Sequence, residues 1–453
     1  MIKRTLEQIA SMLGLECPQQ MNINISGVSI DSRKVEHGNL FVPFQGENVD
    51  GHAYVAKAIE NGAAAALWQK DVPNPPEDIP VLLVEDTLEA LQTLAERYLE
   101  QTTAKVVGIT GSNGKTSTKD MTASILSQKY KVHKTAGNYN NHLGLPLTIL
   151  SMEEDTEVVV LEMGMSGKGE IELLSNLAKP QITVITNIGE AHLLDLGSRE
   201  AIAEAKLEIL SGLQADGVLI YHGDEPLLRG KVDETAYRVC SFGRGENNTL
   251  YPLNIVAEQD CTMFTTNLYP EQLKIPVLGV HNVLNAMAAM LVARELQVSP
   301  EQMKRGLSEL QMTGMRMEML IGKNGEKIIN DAYNASPTSM NAAISLVSEL
   351  TGFTSKYLVL GDMLELGDEE LAFHKEIGAT IKPDSIRKLF TFGRLGQHIA
   401  EGALNNLGAE NVLSFQDKNA LIAALQKELK TGDLVLVKAS RGMKLEEVVQ
   451  ALL

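Results

Sequence analysis

Cysteine and aromatic residues are both scarce in this sequence, and each shortage excludes a class of protein. Cys17, Cys240 and Cys261 are the three cysteines in 453 residues, and no two of them form a Cys-x-x-Cys pair. That spacing fits neither a disulfide framework nor a structural zinc site, so we predict a cytoplasmic location. Aromatic residues make up 4 % of the chain. Aliphatic side chains must therefore form most of the hydrophobic core, which favours alternating strands and helices over an all-β sandwich.

Excess positive charge and long apolar runs are also missing. The formal net charge is −18. Because proteins that bind long nucleic acids are usually basic, we predict no nucleic-acid partner. No apolar run reaches the roughly 18 residues that a membrane span needs, so we predict no membrane span. Leu6, Ile9, Ala10 and Leu13 recur at helical spacing, which predicts an amphipathic helix there rather than a signal peptide.

The order of strand and helix patterns predicts an α/β protein of three domains. Residues 1–101 are expected to form a small α+β domain that ends in a helix, TLEALQTLAERYLE. The next apolar runs show no alternation, which is typical of parallel strands buried on both faces: KVVGIT, EVVVLEM, ITVITN and GVLIY. We predict a central domain over 102–314 with a mostly parallel sheet, and an antiparallel patch at 245–280. Similar runs predict a C-terminal, Rossmann-like parallel sheet domain over 315–453: KIIND, KYLVLGD, KLFTFG and DLVLVKAS.

The stretch VVGITGSNGKTSTKDM, residues 106–121, predicts a phosphate-binding loop (P-loop) in the central domain. An apolar strand is followed by Gly111-x-x-Gly114-Lys115-Thr116 and then by a helical pattern. In such a loop, backbone N–H groups and the helix dipole hold a phosphate. The lysine reaches the outer phosphates and the threonine hydroxyl binds Mg²⁺. The strict motif needs glycine at 109, where this chain has Ile109. An ordinary glycine turn with a solvated lysine is therefore the alternative.

Polar residues stand at the ends of five predicted strands. Glu162 follows a buried-type run and is a candidate Mg²⁺ ligand beside the phosphate loop. The others are Asn187, with His192 five residues later, and Asp331, Asp362 and Lys438. Ligands of open parallel sheets bind beyond the carboxyl ends of the strands. Two such sheets are therefore expected to share one cleft between domains.

Several segments, in this order and spacing, resemble the ATP-dependent Mur ligase family over nearly the whole chain: GITGSNGKTST, LEMG, TNIGEAHL, GVHNVLNAMAA and GMRMEML. SIDSRKVEHGNLFVPFQGENVDGHAY resembles the uridine-nucleotide domain shared by the last two peptide-adding members. Four further segments resemble the final member: TAGNYNNHLGLPLTIL, NDAYNASPTSM, LGDMLELG and LVKASRGMKLEEVV.

The resemblance implies a reaction and its substrates. ATP phosphorylates the free carboxylate of UDP-N-acetylmuramoyl-tripeptide, and the amine of D-Ala-D-Ala then displaces phosphate. This is the last cytoplasmic step in building the pentapeptide precursor of peptidoglycan. Residues 1–101 would bind the uridine nucleotide, 102–314 would bind ATP, and 315–453 would close over ATP and bind the dipeptide. The enzyme is expected to be a monomer that uses two Mg²⁺ ions.

Three other functions stay open. One is the preceding amino-acid-adding Mur ligase, although its usual DNPR motif does not occur in this chain. Another is a P-loop kinase or hydrolase that acts on a small molecule. The last is a nucleotide-gated binding protein without turnover.

Residue roles also follow from the resemblance. The ATP phosphates would lie against Thr110, Gly111, Ser112, Asn113, Gly114, Lys115 and Thr116, and the nucleoside against Asn282, Asn285 and Asp331. The catalytic set is Lys115, His192, Lys206 and Arg316. The metal ligands are Thr116, Glu162, His192 and a carbamylated Lys206. Each of four residues has a plainer alternative. Lys206 would be a solvated lysine on a helix capped by Ser198, and His192 a partly buried histidine. Asn282 would be a helix cap, and Arg316 a linker arginine.

The remaining assignments concern the two peptide substrates. The uridine nucleotide would meet Ser32, Arg33, Asp50, His52, Asn138, Asn140 and Asn141, although Arg33 could equally be tied to Asp31. The candidates for the dipeptide site are Asn334, Ser336, Lys438, Ser440 and Arg441. Arg441 offers a bidentate partner for a carboxylate.

Overall fold

The N-terminal domain is built on a short sheet whose strands are all parallel. The structure is a computed structural model, and it describes residues 1–16, 23–46, 49–233 and 235–453, so Cys17 lies outside the described residues. The helices are α1 (Leu6–Met12), α2 (Val55–Glu60) and α3 (Thr87–Glu100). The strands are β1 (Lys3–Thr5), β2 (Asn24–Ser26), β3 (Val28–Ser29), β4 (Leu40–Phe41), β5 (Ala65–Gln69) and β6 (Val81–Val84). β1 and β2 pair antiparallel, and β3-β4-β5-β6 form the parallel sheet.

Both helices expected in this domain are present. Leu6, Ile9 and Ala10 are buried on α1, as their spacing predicts. The helix α3 spans the expected fourteen residues and begins after Asp86, whose side chain accepts hydrogen bonds from the backbone N–H groups of Leu88 and Glu89.

The central domain contains a six-stranded sheet of order β12-β11-β10-β7-β9-β8, in which all strands are parallel. Its strands are β7 (Lys105–Thr110), β8 (Val132–Lys134), β9 (Val158–Glu162), β10 (Ile182–Ile185), β11 (Val218–His222) and β12 (Arg238–Phe242). Its helices are α4 (Lys115–Leu126), α5 (Gly144–Ser151), α6 (Glu170–Ala178), α7 (Leu193–Leu196), α8 (Arg199–Leu207), α9 (Pro226–Arg229), α10 (Val280–Glu295) and α11 (Pro300–Ser308). The predicted antiparallel patch is confirmed: it consists of β13 (Pro252–Ala257), β14 (Thr262–Thr266) and β15 (Leu273–Ile275).

The C-terminal domain has a second six-stranded sheet, of order β16-β17-β21-β18-β19-β20. Its strands are β16 (Glu318–Ile321), β17 (Lys327–Asp331), β18 (Lys356–Gly361), β19 (Lys388–Phe392), β20 (Val412–Phe415) and β21 (Leu434–Lys438). Its helices are α12 (Pro337–Glu349), α13 (Glu370–Ala379), α14 (Gly396–Leu407), α15 (Lys418–Glu428) and α16 (Glu446–Leu452). Only β16 runs antiparallel to its neighbour, so the predicted parallel sheet is confirmed.

The strands of the two large sheets are apolar because they are covered on both faces. Val107 and Ile109 of β7 lie in one apolar cluster with α4 and α10, while Val106 faces a second cluster that contains α3 and α5. Among the helices that the structure describes, none combines the length and the hydropathy needed to cross a bilayer. Polar side chains end several of these strands: Glu162 ends β9, Asp331 ends β17 and Lys438 ends β21.

Candidate functional site

Two glycines shape the phosphate loop between β7 and α4. Gly111 has φ +146° and Gly114 has φ +81°. A Cβ atom at Gly111 would lie 1.8 Å from the Thr186 hydroxyl oxygen, and one at Gly114 would lie 2.5 Å from Asn285 Oδ1. Both positions therefore exclude a side chain on steric as well as conformational grounds. The amine of Lys115 donates to the carbonyl of Gly111 at 2.7 Å, which places it over the loop rather than in solvent.

Glu162 and Thr116 are in direct contact. The Thr116 hydroxyl donates to Glu162 Oε2 at 2.7 Å, and the Asn140 amide donates to Glu162 Oε1 at 2.8 Å. Both Thr116 and Glu162 are buried. Nowhere in the described ranges do three His, Cys, Asp or Glu side chains cluster as a metal site. A metal here would take one hydroxyl and one carboxylate from the protein and its other ligands from phosphate and water, which is how Mg²⁺ is commonly held beside nucleotides.

Lys206 is buried, so the solvated-lysine interpretation of it is wrong. Its side chain is 1 % exposed on α8, a helix that Ser198 caps as expected. Burial and then the nearby charge of Lys115 lower the pKa of Lys206 well below its usual value. In the part of the chain that the structure describes, no carboxylate lies within 4 Å of the Lys206 amine. An ammonium group is thus disfavoured at this position.

His192 precedes α7 and lies at the interface between the central and C-terminal domains. Its backbone φ is +66°, and its Nδ1 lies 3.0 Å from Glu365 Oε2 of the C-terminal domain. Burial and then the charge of Lys115 lower the pKa of His192, while Glu365 opposes that change. The imidazole is therefore favoured in its neutral form, the form that can bind a metal.

The nucleoside candidates come from two domains, with Asn282 and Asn285 on α10 and Asp331 at the end of β17. Asn282 is inside α10, which begins after Gly279, so the helix-cap interpretation of Asn282 is wrong. Its amide donates to the carbonyl of Leu278 at 2.8 Å, and Asn285 lies one turn further along. Asp331, at the end of β17, pairs with Lys438 at 2.6 Å and accepts from the Met317 N–H at 3.1 Å.

Arg316 lies in the segment that joins the two domains. Its guanidinium stacks over the ring of Tyr333, 4.1 Å from the ring centroid. Its Nε is buried, and no acceptor for it exists among the described residues. Ser112 Oγ, in the phosphate loop, is buried without a partner in the same described part of the chain. Both atoms line one cleft, so an anionic ligand there would complete their hydrogen bonds.

The dipeptide candidates are brought together, but most of their polar atoms already have partners. Ser336 caps α12 as expected, with Pro337 in the first turn, and its hydroxyl contacts Asn113 of the phosphate loop. The Ser440 hydroxyl accepts from the Leu364 N–H at 2.9 Å. Asn334 accepts from the Ala335 N–H at 2.9 Å. Arg441 is 54 % exposed and pairs with Glu446 at 2.9 Å, which leaves it the most accessible cation of the set.

The uridine-nucleotide candidates fall into two groups. Asn138, Asn140 and Asn141 line the interdomain cleft, whereas Ser32, Arg33, Asp50 and His52 lie away from it in the N-terminal domain. His52 is buried. Its Nδ1 lies 2.6 Å from Asp50, and its Nε2 accepts from the Gln69 N–H at 3.1 Å. Both ring nitrogens are thus engaged by groups of the protein itself. Arg33 is exposed and paired with Asp31 at 2.9 Å, so the ion pair weighed from the sequence is present.

A cleft of about 570 Å³ between the central and C-terminal domains unites most of the sequence-derived residues. It is lined by residues from Ser112 to Thr116, together with Glu162, His192, Asn282, Asn285, Arg316 and Asp331, and by all five dipeptide candidates. Thr110, Gly111 and Lys206 are not part of this lining. Sequence reasoning missed Tyr333 and Glu365, whose importance depends on contacts between domains. It also missed Lys119, although that residue lies one helical turn after Lys115.

Comparisons with known proteins identify the family. Three segments match family descriptions: residues 24–99 match "Mur ligase family, catalytic domain", 109–293 match "Mur ligase middle domain", and 315–441 match "Mur ligase, glutamate ligase domain". The UDP-N-acetylmuramoyl-tripeptide–D-alanyl-D-alanine ligase of Bacillus subtilis is 54 % identical, with 100 % of this chain and 99 % of that enzyme aligned. The enzyme of the same name from Escherichia coli is 35 % identical over 100 % of this chain and 99 % of its own length.

Solved structures agree with this similarity. MurF from Acinetobacter baumannii superimposes with a TM-score of 0.86 at 30 % identity, covering 100 % of this chain and 99 % of that one. MurF ligase from Thermotoga maritima in complex with ADP gives a TM-score of 0.83 at 30 % identity, covering 94 % and 96 % of the two chains. With its sequence, its fold and its phosphate loop in agreement, the chain belongs to the Mur ligase family.

Proposed function

We propose that this chain is an ATP-dependent, ADP-forming ligase that joins D-alanyl-D-alanine to UDP-N-acetylmuramoyl-tripeptide in peptidoglycan synthesis. One observation carries the proposal: the 54 % identity to the Bacillus subtilis ligase of that name extends over the full length of both chains. The cleft supports it, because a phosphate loop there faces the strand ends of a second parallel sheet.

The chemistry explains why such a cleft is needed. A carboxylate resists attack by an amine because oxide is a very poor leaving group. A carboxylate oxygen of the tripeptide therefore attacks the γ-phosphorus of ATP, and ADP leaves. The dipeptide amine then attacks the acyl carbon, the C–O bond to phosphate breaks, and the amine loses a proton as the amide forms. Enzymes of this kind work mainly by positioning and charge neutralisation.

The cationic residues of the cleft suit the ATP phosphates. We assign Lys115 to the outer phosphates because its amine already lies over the loop. Arg316 is assigned to the phosphoryl group in transit, because its unpaired Nε is buried in the cleft and its guanidinium is fixed by Tyr333. Asn282, Asn285 and Asp331 would face the nucleoside.

We also propose that ATP is bound together with Mg²⁺ ions. Thr116 and Glu162 fit one ion, since their oxygens are 2.7 Å apart beside the phosphate loop. His192 is the candidate for the second, and Lys206 would join it only as a carbamate, which the comparisons do not support. Bound Mg²⁺ would neutralise phosphate charge during transfer. A measurement of ADP release against Mg²⁺ concentration, in the wild type and in Glu162→Gln, tests this. Equal Mg²⁺ dependence in both proteins would remove Glu162 from the site.

The carbamate at Lys206 rests on the family resemblance, and the comparisons do not support it. What the structure contributes is a buried amine with a lowered pKa and no carboxylate partner within 4 Å in the described part of the chain. The resemblance implies that this amine reacts with CO₂, and the alternative is that it acts unmodified. Lys206→Ala with and without short carboxylic acids separates these two cases, because only a missing carbamate should be replaced by an added carboxylate.

The two peptide substrates would occupy opposite ends of the cleft. Asn138, Asn140 and Asn141 line the cleft and are assigned to the sugar and peptide of the nucleotide substrate. Arg441 is the accessible cation at the C-terminal side, where the carboxylate of the dipeptide would bind. We also propose a cytoplasmic location, because the reaction consumes ATP, and a monomer.

Substrate-dependent release of ADP tests the function. The ligase should release ADP only when the nucleotide tripeptide and D-Ala-D-Ala are both present, and ¹⁸O from the tripeptide carboxylate should appear in phosphate. Release with free lysine or diaminopimelate plus the nucleotide dipeptide would instead identify the preceding Mur ligase. ADP release without any amine would identify a hydrolase, and the absence of turnover with every substrate would favour a binding protein.

A further inference from the structure

A group of charged side chains outside the cleft connects the phosphate-loop helix to the segment between the domains. Asp120 lies on α4 with its side chain fully buried, and Lys119 beside it is 1 % exposed. Asp120 Oδ1 lies 2.6 Å from the amine of Lys134 on β8 and 3.5 Å from that of Lys119. A buried carboxylate with two cationic neighbours is costly to assemble and needs an explanation.

The second oxygen of Asp120 binds the linker. Asp120 Oδ2 accepts hydrogen bonds from the Thr313 backbone N–H at 2.9 Å and from the Thr313 hydroxyl at 2.7 Å. Thr313 lies five residues after the end of α11 and three residues before Arg316. The carboxylate therefore fixes the last part of the chain that belongs to the central domain.

The linker beyond Thr313 is strained and is fixed again on the C-terminal side. Met315 has φ +62° and Met317 has φ +53°, both in the left-handed region that residues other than glycine rarely adopt. The Met317 N–H donates to Asp331, which belongs to β17. Arg316 is held between these two strained residues, with its guanidinium over Tyr333. Its position depends on where each end of a five-residue segment is attached.

Lys119 connects the same group to the phosphate site. Its amine lies 4.0 Å from Glu162 Oε2, the oxygen that accepts from Thr116. One continuous set of contacts thus runs from Thr116 and Glu162 through Lys119 and Asp120 to Thr313. Thr116 and Glu162 line the cleft, whereas Asp120 does not.

From these contacts we propose that Asp120 is a positioning residue of the ligase. By holding Thr313 against the phosphate-loop helix, it brings Arg316 to the same place over the phosphates each time the C-terminal domain closes. The inference rests on the proposed function, because it requires that Arg316 acts in phosphoryl transfer.

A double-mutant cycle between Thr313 and Arg316 tests the inference. Thr313→Val removes the hydroxyl donor and keeps both the shape and the backbone hydrogen bond. We expect kcat to fall at least about tenfold, the size of one lost hydrogen bond to a charged group. The KM for the nucleotide tripeptide should change less than twofold, because that substrate binds on the other side of the cleft. In an Arg316→Ala background, Thr313→Val should have no further effect on kcat, since the residue it positions is gone.

Lys134→Met provides the matched control. It removes the other close partner of Asp120, on β8 and 41 % exposed, without touching the linker. A purely structural role for Asp120 predicts that Lys134→Met and Thr313→Val lower the melting temperature and kcat together. Positioning predicts a lower kcat for Thr313→Val alone. Asp120→Asn serves as a second probe only if it folds, and it should resemble Thr313→Val.

The outcomes separate this inference from the proposed function. If the wild type shows no dipeptide-dependent ADP release, the function itself is wrong. If the wild type is active and Thr313→Val lowers kcat by the same factor with and without Arg316, the two residues act independently and the positioning role is overturned. An unchanged kcat in Thr313→Val overturns it as well.

Discussion

His192 and Glu365 meet across the interface between the central and C-terminal domains, and both are held in the left-handed region of backbone space. Their φ angles are +66° and +65°, and His192 Nδ1 lies 3.0 Å from Glu365 Oε2. The carbonyl of Glu365 also accepts from the Leu194 N–H at 3.2 Å. Strained residues that contact each other across two domains usually mark a functional position, here the point where the cleft closes.

We expect Glu365→Ala to shift the unliganded protein toward a more open arrangement. Glu365 is 58 % exposed, so its ion pair contributes little, and a shift of a few fold in the closed population is the expected size. The radius of gyration in solution, measured by small-angle scattering, reports the change. Glu401→Ala is the control, because Glu401 makes an equivalent 3.0 Å contact with His398 within one domain. Equal radii for the two variants would contradict the role in closure.

Gly114→Ala should weaken nucleotide binding, whereas Gly169→Ala should not. Both glycines precede helices, with φ of +81° and +83°. A Cβ at Gly169 meets nothing within 4 Å, whereas one at Gly114 meets Asn285 Oδ1 at 2.5 Å. Both substitutions carry the left-handed penalty of about 1–2 kcal/mol, and only Gly114→Ala also displaces the Asn285 side chain, a nucleoside candidate. Equilibrium binding of ADP, measured by calorimetry, should weaken at least about tenfold in Gly114→Ala alone. Similar losses of ADP affinity in both variants would show that the backbone penalty, and not the contact with Asn285, causes the effect.

The sequence predicts the parts of this molecule that depend on local rules. Apolar runs without alternation specify buried parallel strands, and the glycine and lysine pattern of residues 111–116 specifies the loop. Burial of a charged residue is different, because it depends on distant parts of the chain. Lys206 reads as a solvated lysine on a helix, yet its side chain is buried. Asn282 sits where a cap is expected, but Gly279 ends the preceding turn and the helix starts earlier.

Local sequence patterns also do not predict the contacts between domains. Glu365 and Tyr333 are ordinary loop residues until the C-terminal domain places them against His192 and Arg316. The same holds for His52, whose pattern suggests a ligand contact. Its burial between Asp50 and the Gln69 N–H depends on β5, seventeen residues away. Local pattern thus finds the chemistry, and tertiary packing decides which side chains remain accessible.

The free energy of unfolding should fall as the pH is lowered below about 6.5, the usual pKa of a histidine in an unfolded chain. His374 is fully buried and its Nε2 accepts from the Met363 N–H at 2.9 Å, and burial lowers its pKa in the folded protein. The unfolded chain therefore binds a proton at a higher pH than the folded chain does. Stability from the neutral form is complete above pH 6.5 and is lost as the pH falls below it.

Substitution of His374 should reduce this pH dependence. In His374→Gln, the loss of unfolding free energy between pH 7.5 and 5.5 should be smaller than in the wild type by about 1 kcal/mol. Urea unfolding at several pH values provides the measurement. His37→Gln, at an exposed position, controls for the loss of a histidine. A wild-type slope in His374→Gln would show that another group, such as His133 or His281, causes the dependence.

Arg33→Ala should raise the KM for the nucleotide tripeptide about tenfold and leave the KM for ATP nearly unchanged, because a cation near the pyrophosphate or uracil of that substrate would be lost. Arg33 is 86 % exposed, and its hydrogen bond to Asp31 lowers the pKa of Asp31 to about 2, so the guanidinium is anchored but accessible. Arg97→Ala is the matched control, since Arg97 is also exposed and pairs with Glu100 at 2.9 Å on the surface of α3. Steady-state kinetics with each substrate varied in turn separate the two KM values. If Arg33→Ala raises both equally, or if Arg97→Ala has the same effect, Arg33 serves the turn at Asp31 and does not bind the nucleotide.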